Sequence, residues 1–466
     1  MKKLIDLIIS TIEKYRLLDQ NDKVLIALSG GPDSVALFHL LGLLAAKYNL
    51  SLAAAHVNHF LRKDAGKDQE FCRRLCQAHG YSFHSKKFDI RANARKYKIG
   101  LEEAGRQVRY GFFEDLCKNY GYTKIATGHT ADDSAETFLL NLIRGADLGG
   151  LGGIPPKRDN ITRPLIEISK AEVLIFLNDN RLSYRVDKSN LSEKYKRNLV
   201  RKKVMPVFND INASALKHIL QACRNIRTGY EFLETETEKL YDKCRIKESN
   251  TQIILDLGKL PPYYESLKSW ILLRAYARLT GESRRPNSEK IDRAVNLLRS
   301  GSITFLDSSV VVSNHAGKLI LCRPPRPIKR IRLKNDYGNE INGSDLILQT
   351  ETLEDFSLEK LLKNNDESVA YLDFERVSDL SVRSFEDGDR FRPLGMKGSK
   401  KLVDYFNDKG VPLVYKKSIP VVISGEEIAW IAGYGISENF KVTDNTRKVL
   451  KLSFINNERT DEDINF

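Results

Sequence analysis

The chain has no run of about 18 consecutive apolar residues, the length a membrane-spanning helix needs, so no transmembrane segment is predicted. It has no CxxC pair and no His/Cys cluster at zinc spacing. Its six cysteines in 466 residues do not make a disulfide framework. Cys72 and Cys76, four apart on a predicted helix, read as buried small apolar side chains. No internal repeat appears, and glycine (29) and proline (14) show no low-complexity bias, which excludes a collagenous or linker protein. The phosphate-binding patterns GxxxxGK[ST] and GxGxxG are both absent. The N-terminus meets Asp6, Glu13 and Lys14 too early for a signal peptide. It reads as an amphipathic first helix of a cytoplasmic protein.

What is present is an ordinary globular composition, 41% hydrophobic and 29% charged, which argues against disorder. The length suggests roughly three domains. The net charge of +14 points to a polyanionic partner, a nucleic acid or an acidic membrane surface.

Short apolar runs alternate with helical stretches over the first 190 or so residues. Strands are predicted at 24–28, 53–57, 82–88 and 124–127, and helices at 34–47, 66–79, 102–120 and 131–143. This alternation predicts an α/β doubly wound parallel sheet. A glycine-rich stretch, 145–153, and Pro155-Pro156 then break the pattern. Residues 211–245 and 264–300 read as mostly helical, and strands return at 303–306, 310–312 and 318–321. The run 323–327 resembles an extended linker. The tail reads as a small α+β domain, with strands at 419–424, 428–432 and 449–454 and a helix near 401–407. The expected domains are 1–210, catalytic; 211–330, mainly helical; and 331–466, linker and α+β.

In doubly wound sheets ligands sit beyond the carboxyl ends of the strands. After the first strand stands Ser29-Gly30-Gly31-Pro32-Asp33-Ser34. The glycine pair allows a tight turn and leaves main-chain N–H groups uncovered. Those donors and the following helix N-terminus make an anion site, to which the Ser29 and Ser34 hydroxyls add. Pro32 suits a first helical turn. Asp33 beside a phosphate needs a cation between them, which makes it a natural Mg²⁺ ligand. An ordinary turn would explain Gly-Gly alone; the whole hexapeptide between strand and helix points to phosphate.

After the fourth strand stands Gly128-His129-Thr130-Ala131-Asp132-Asp133-Ser134-Ala135-Glu136-Thr137. Helical spacing puts Asp132 and Asp133 each beside Glu136. Ala135, Leu139, Leu142 and Ile143 form the expected core stripe. Three acids with no base among them predict a cation site, for a metal, an amine or both. The helix dipole accounts for one or two of them, but not for three plus His129 on the ligand rim. Asn58, after the second strand, is either a nucleotide contact or a loop cap. Arg106 and Arg109 are either a phosphate clamp or a solvated face paired to Glu102 and Glu103. Residues 194–203 hold six basic side chains and no acid, which favours RNA phosphate contact.

The hexapeptide resembles the PP-loop of ATP pyrophosphatases, which adenylate a substrate and release pyrophosphate. With it come His56-Val57-Asn58-His59-Phe60-Leu61-Arg62, RQVRY, GHTADDSAET, Leu142-Ile143-Arg144-Gly145, Arg163-Pro164-Leu165, DKSN at 187–190 and YKRNLVR. In that order, over 24–203, they resemble the tRNA(Ile)-lysidine synthetase family. Residues 383–390, with Pro393, Gly395, Lys400, Lys401 and Pro412, are similar to that family's C-terminal domain. Residues 215–375 carry no recognised motif. Ser134 stands where a Gln is common, and Pro32 occupies a variable position.

The resemblance implies ATP-dependent ligation of L-lysine to C2 of the wobble cytidine of a tRNA(Ile) with anticodon CAU. The intermediate is an adenylated cytidine, and the product, lysidine, moves codon specificity from AUG to AUA. It implies that Ser29, Gly30, Gly31, Pro32, Asp33 and Ser34 hold the ATP phosphates. Asp33 and Asp132 would hold Mg²⁺, and Asp133 and Glu136 would bind lysine and help deprotonate its amine. Arg109 and Arg201 would stabilise phosphate charge, and His129 would contact nucleotide or base. The middle domain, 211–330, would recognise the tRNA and the C-terminal domain, 331–466, would bind it, by backbone and shape, with Lys400-Lys401 and the six basic residues in 323–334 as candidate contacts. The resemblance also implies a homodimer with no membrane partner. Against rival readings, a sulfur-transferring PP-loop enzyme lacks its CxxC here. A small-molecule ligase leaves the basic C-terminal half unexplained. An inert tRNA-binding protein does not need the acids.

Overall fold

A computed structural model describes residues 2–58, 65–185, 196–281, 286–297, 303–341, 346–364 and 366–456. The motif residues His59–Arg62, Asp187–Asn190, Lys194 and Tyr195 lie outside this set. The chain forms two compact units, Met1–Leu233 and Glu234–Phe466. No helix among the described residues is long and apolar enough to cross a membrane.

The first unit opens with α1 (Lys2–Tyr15), amphipathic as expected, burying Leu4, Ile8, Thr11 and Ile12. Then follow β1 (Lys23–Ala27), α2 (Pro32–Tyr48), β2 (Ser51–Asn58), α3 (Ala65–Ala78) and β3 (Ser82–Lys87). Next come α4 (Ile90–Tyr97), α5 (Leu101–Tyr120), β4 (Lys124–Ala126), α6 (Ala131–Ile143) and α7 (Leu148–Leu151). A short hairpin, β5 (Lys157–Arg158) and β6 (Ile161–Thr162), precedes α8 (Lys170–Asp179). The sheet order is β3-β2-β1-β4-β6-β5. All pairs are parallel except β5–β6.

Val24, Leu25 and Ile26 of β1 are fully buried, because helices cover both faces of a parallel sheet. Val24 and Ile26 face a cluster that includes Phe38 and Leu41 of α2, Cys72 and Cys76 of α3 and Phe176 of α8. Leu25 faces Phe112, Phe113 and Leu116 of α5. Burial pushes both the Cys72 and Cys76 thiols up to about 12, so they are inert packing groups.

After α8 a helical stretch runs from Lys196 to Ile211. It is α-helical over Lys196–Leu199 (α9), π-helical over Val200–Val204, and α-helical again over Met205–Ile211 (α10). Then comes α11 (Ala215–Cys244). The first compact unit runs past residue 210 to Leu233. Ile219 and Cys223 of α11 pack with Ala135, Leu139, Val200 and Met205, so the helix that follows residue 210 completes the first core.

The structure corrects one expectation for α6. Ala135 and Leu139 are buried, but Leu142 and Ile143 are 52% and 72% exposed. The packing partners of α6 cover its earlier turns and leave the last one to solvent.

Glu167 ties this unit together. Its Oε1 accepts from Lys14 Nζ (2.6 Å), Tyr15 Oη (2.7 Å) and Arg224 Nη1 (3.0 Å). Burial alone would raise its carboxyl, but these donors outweigh burial and hold it below the ordinary value. A depressed carboxyl contributes stability above its unfolded pKa and loses it as pH falls through the folded one. Glu167→Gln is expected to cost about 2 kcal/mol at neutral pH. The cost should shrink toward zero below about pH 4, as read by urea unfolding across that range.

The second unit begins with a five-stranded antiparallel sheet: Arg245–Glu248, Gln252–Leu255, Lys318–Cys322, Val311–His315 and Ile303–Phe305, in that spatial order. Helices Lys268–Thr280 and Ser288–Asn296 accompany it. Among the described residues the remainder holds a five-stranded and a four-stranded sheet, a two-stranded ribbon and two short α-helices, Leu358–Leu362 and Leu402–Asp408. The predicted strands appear as Val421–Ser424, Glu427–Ile431 and Val449–Asn456. Within this unit Val414 packs on Val311, Ile320 and Cys322.

Candidate active site

In the order β3-β2-β1-β4, the chain leaves β1 toward β2 and later returns to β1's other side as β4. That switch opens a crevice between the loops after β1 and β4, and the two singled-out motifs are those loops.

The loop after β1 folds upon itself. Gly30 has φ +88°, a left-handed conformation that costs a glycine little. Gly31 N–H donates to Ser29 Oγ (3.3 Å), and Ser34 Oγ donates to Gly31 O (2.9 Å). Pro32 opens α2, whose N-terminus has no side-chain cap. Its first N–H groups therefore remain available to an anion. The loop after β4 lies directly against this turn. A Cβ added at Gly128 would come within 3.0 Å of the Asp33 backbone. Only glycine allows the two loops to approach this closely.

Asp33 is the most exposed to conflict. Its Oδ1 is buried with no hydrogen-bond partner among the described residues. Burial raises its pKa, partly offset by Lys170, whose Nζ reaches Oδ2 at 2.8 Å. Lys170 also donates its backbone N–H to Asp132 Oδ2 (2.7 Å). A capping box at Ser169 and Glu172 fixes that helix start. Lys170 thus bridges both expected metal carboxylates, and the sequence reading did not single it out. The one available signal was the Ser169-x-x-Glu172 cap, which placed a helix start there but not its neighbours.

No group of three or more His, Cys, Asp or Glu side chains among the described residues is arranged to hold a metal ion. Mg²⁺ is commonly held by one or two carboxylates together with substrate phosphates. The orphaned Asp33 oxygen fits such an ion.

Asp133 and Glu136 are not open acids. Arg197 Nε donates to Glu136 Oε2 (2.8 Å), and its Nη2 donates to Asp133 Oδ1 (2.9 Å). Arg201 Nε donates to Glu136 Oε1 (2.6 Å), and its Nη2 to Glu136 Oε2 (3.0 Å). The expectation of three acids without a base is corrected, because the bases arrive from the basic segment some 60 residues later. Glu136 is buried, at 1% exposure, and such a carboxylate requires a partner. Burial would raise Asp133, but Arg197 and the Thr130 N–H outweigh it and hold its carboxyl below the ordinary range. Asp133 also accepts from Thr130 N (2.9 Å) in a capping box that starts α6.

His129 Nδ1 lies 2.9 Å from Thr127 Oγ1. Burial pushes its imidazole down to about 4, so it is neutral at physiological pH. The Arg109 charge is among those opposing its protonation. Arg106 and Arg109 are exposed and lie near the Tyr110 ring. Asn58 is buried and donates to Gln69 Oε1 (3.1 Å), a fixing role at the end of β2. Arg163 is buried and donates to Pro155 O (2.7 Å).

Further along, Lys400 pairs with Asp408, and Arg383 makes a bidentate pair with Asp389 at 2.8 Å. The RSFEDGDR motif therefore orders its own loop.

Residues 5–208 match the family described as the PP-loop domain, and 380–453 the TilS substrate C-terminal domain. A tRNA(Ile)-lysidine synthase of Clostridium tetani is 34% identical over 460 residues, covering 96% of this chain and 98% of that one. One from Caldanaerobacter subterraneus subsp. tengcongensis is 33% identical over 466 residues, covering 97% of each. Among solved structures, the U34-tRNA thiolase NcsA from Methanococcus maripaludis overlays with a TM-score of 0.42 at 20% identity, covering 48% of this chain and 78% of that one. With the PP-loop and the GHTADD loop joined at the sheet's switch point, and with relatives matched from end to end, this chain belongs to the tRNA(Ile)-lysidine synthase family.

Proposed function

We propose that the protein ligates L-lysine to C2 of the wobble cytidine of a tRNA(Ile) bearing CAU, forming lysidine and moving codon specificity from AUG to AUA. The observation that carries this reading is the meeting of a phosphate loop and a carboxylate pair at one crevice, in a chain similar end to end to named synthases. In the first step the cytosine O2 attacks the α-phosphorus of ATP. The O–P bond forms, the Pα–O bond to the leaving group breaks, and pyrophosphate departs. In the second step the lysine ε-amine attacks C2, loses a proton, and AMP departs with O2.

The Ser29–Ser34 turn and the α2 N-terminus bind the phosphates. Asp33 and Asp132 would hold Mg²⁺, which supplies charge neutralisation to the leaving pyrophosphate. Arg109 and Arg201 stabilise phosphate charge. His129, kept neutral, offers a hydrogen-bonding ring rather than a cation. The cytosine must leave its stack to reach the crevice.

Asp133 and Glu136 receive the lysine ammonium and take its proton, and for this a guanidinium must give way. Phosphate from ATP or tRNA is the anion to which Arg197 would transfer. Arg197→Gln is therefore expected to tighten lysine binding to the protein without ATP or tRNA by about tenfold. Calorimetric titration reads this, and weaker binding would make Arg197 part of the lysine site.

We also read the protein as a cytoplasmic homodimer. The reaction is tested with labelled lysine, ATP, Mg²⁺ and CAU-bearing isoleucine and methionine tRNA transcripts. Label in the isoleucine tRNA alone is expected. AMP formed only with a sulfur donor would overturn the reading.

A further inference from the structure

The second unit contains a cavity of about 560 Å³ that the proposed chemistry does not use. It lies over one face of the Arg245–Glu248, Gln252–Leu255 and Lys318–Cys322 strands, beside the Gly410–Tyr415 segment. In register across the sheet, Lys247 pairs with Ile254 and Ile254 with Ile320. One row of the floor therefore begins with an edge cation and continues as two aliphatic side chains. Lys318 and its register partner His315 stand to one side of that row, and Arg323 to the other.

Among the described residues no Asp or Glu lines the cavity. Among the described residues none of Lys247, Lys318 and Arg323 forms an ion pair. Elsewhere in the unit, Arg274, Arg278 and Arg383 all have carboxylate partners. Three unneutralised cations around one concavity repel each other and focus positive potential into it, so the geometry favours an anionic occupant.

The floor narrows the occupant further. Ile254, Ile320 and the Tyr415 side chain, the last held by Gln252, present apolar surface inside the basic rim. A paired helix offers the protein phosphates and riboses but keeps its base faces stacked. An unpaired nucleotide offers a base face together with a phosphate.

We infer that this cavity binds one unpaired nucleotide of the tRNA, its base on the Ile254–Ile320 floor and its phosphate on Lys247 and Lys318. The inference rests on tRNA being the substrate but not on the lysine chemistry.

The test is tRNA binding to the full-length protein at several salt concentrations, with ribonuclease footprinting and without ATP or lysine. Lys247→Glu and Lys318→Glu are each expected to raise Kd about tenfold and to lower the salt slope by about one. Both should expose at least one unpaired nucleotide that the wild type protects. Lys360→Glu, an equal charge change on the exposed helix Leu358–Leu362, should change Kd less than about twofold. If the control weakens binding as much as the cavity variants, or if only paired nucleotides lose protection, the inference fails. A wild type that binds tRNA with this footprint yet never incorporates lysine would overturn the proposed function and leave the cavity assignment standing.

Discussion

Asp133→Ala is expected to lower lysine incorporation by about a thousandfold or more while changing tRNA affinity less than about threefold. The carboxylate lies at the crevice, where Arg197 and the Thr130 N–H hold its pKa down; once the guanidinium gives way it can take the proton that an ammonium must lose before it acts as a nucleophile. The substitution also removes the side-chain half of the α6 capping box, at a cost of about 1 kcal/mol. Asp133→Asn separates the two effects. The amide oxygen can still accept from Thr130, so stability should largely return while activity does not. Full activity in the Asn variant would show that the charge at this position has no part in the reaction. Single-turnover incorporation and urea unfolding of both variants read the two effects.

Glu136→Ala should unfold the site rather than merely silence it. Glu136 is buried and takes hydrogen bonds from both Arg197 and Arg201. Removing it leaves two guanidiniums facing a cavity without their main acceptor. Breaking a buried pair from one side costs about 3–5 kcal/mol. Both arginine side chains are about one-third exposed and regain some water, so about 3 kcal/mol is expected. Replacing Arg201 with Met in the same background should recover part of that loss, because the stranded charge goes with it. A Glu136→Ala shift below about 1 kcal/mol would show that the arginines find other partners at once and that the four-residue cluster does not hold the site together.

The catalytic half was largely legible because its signals are local. Apolar runs stand for the buried strands β1 and β2, and β1 to β4 all lie close to their predicted ranges, though β3, SFHSKK, is largely exposed. The two loops proposed to carry chemistry follow strands, and parallel topology alone puts them on one rim. The strand β6 was missed, since two residues, Ile161 and Thr162, contain no period to detect. The strands Arg245–Glu248 and Gln252–Leu255 were missed for a similar reason, being four residues each. The exposure of Leu142 and Ile143 could not be read from helical spacing, because spacing gives a face and not the reach of what covers it.

By itself the sequence determined the parallel α/β catalytic half, the position of its phosphate turn and the family likeness, because these depend on residues near each other in the chain. Only the tertiary structure decided how the charges are matched. Lys170 lies 137 residues from Asp33, and Arg201 lies 65 from Glu136. No periodicity connects positions so far apart. A buried carboxylate takes whichever cation the packing brings to it, so the acids' partners, and the unpaired cations around the second unit's cavity, became visible only in three dimensions.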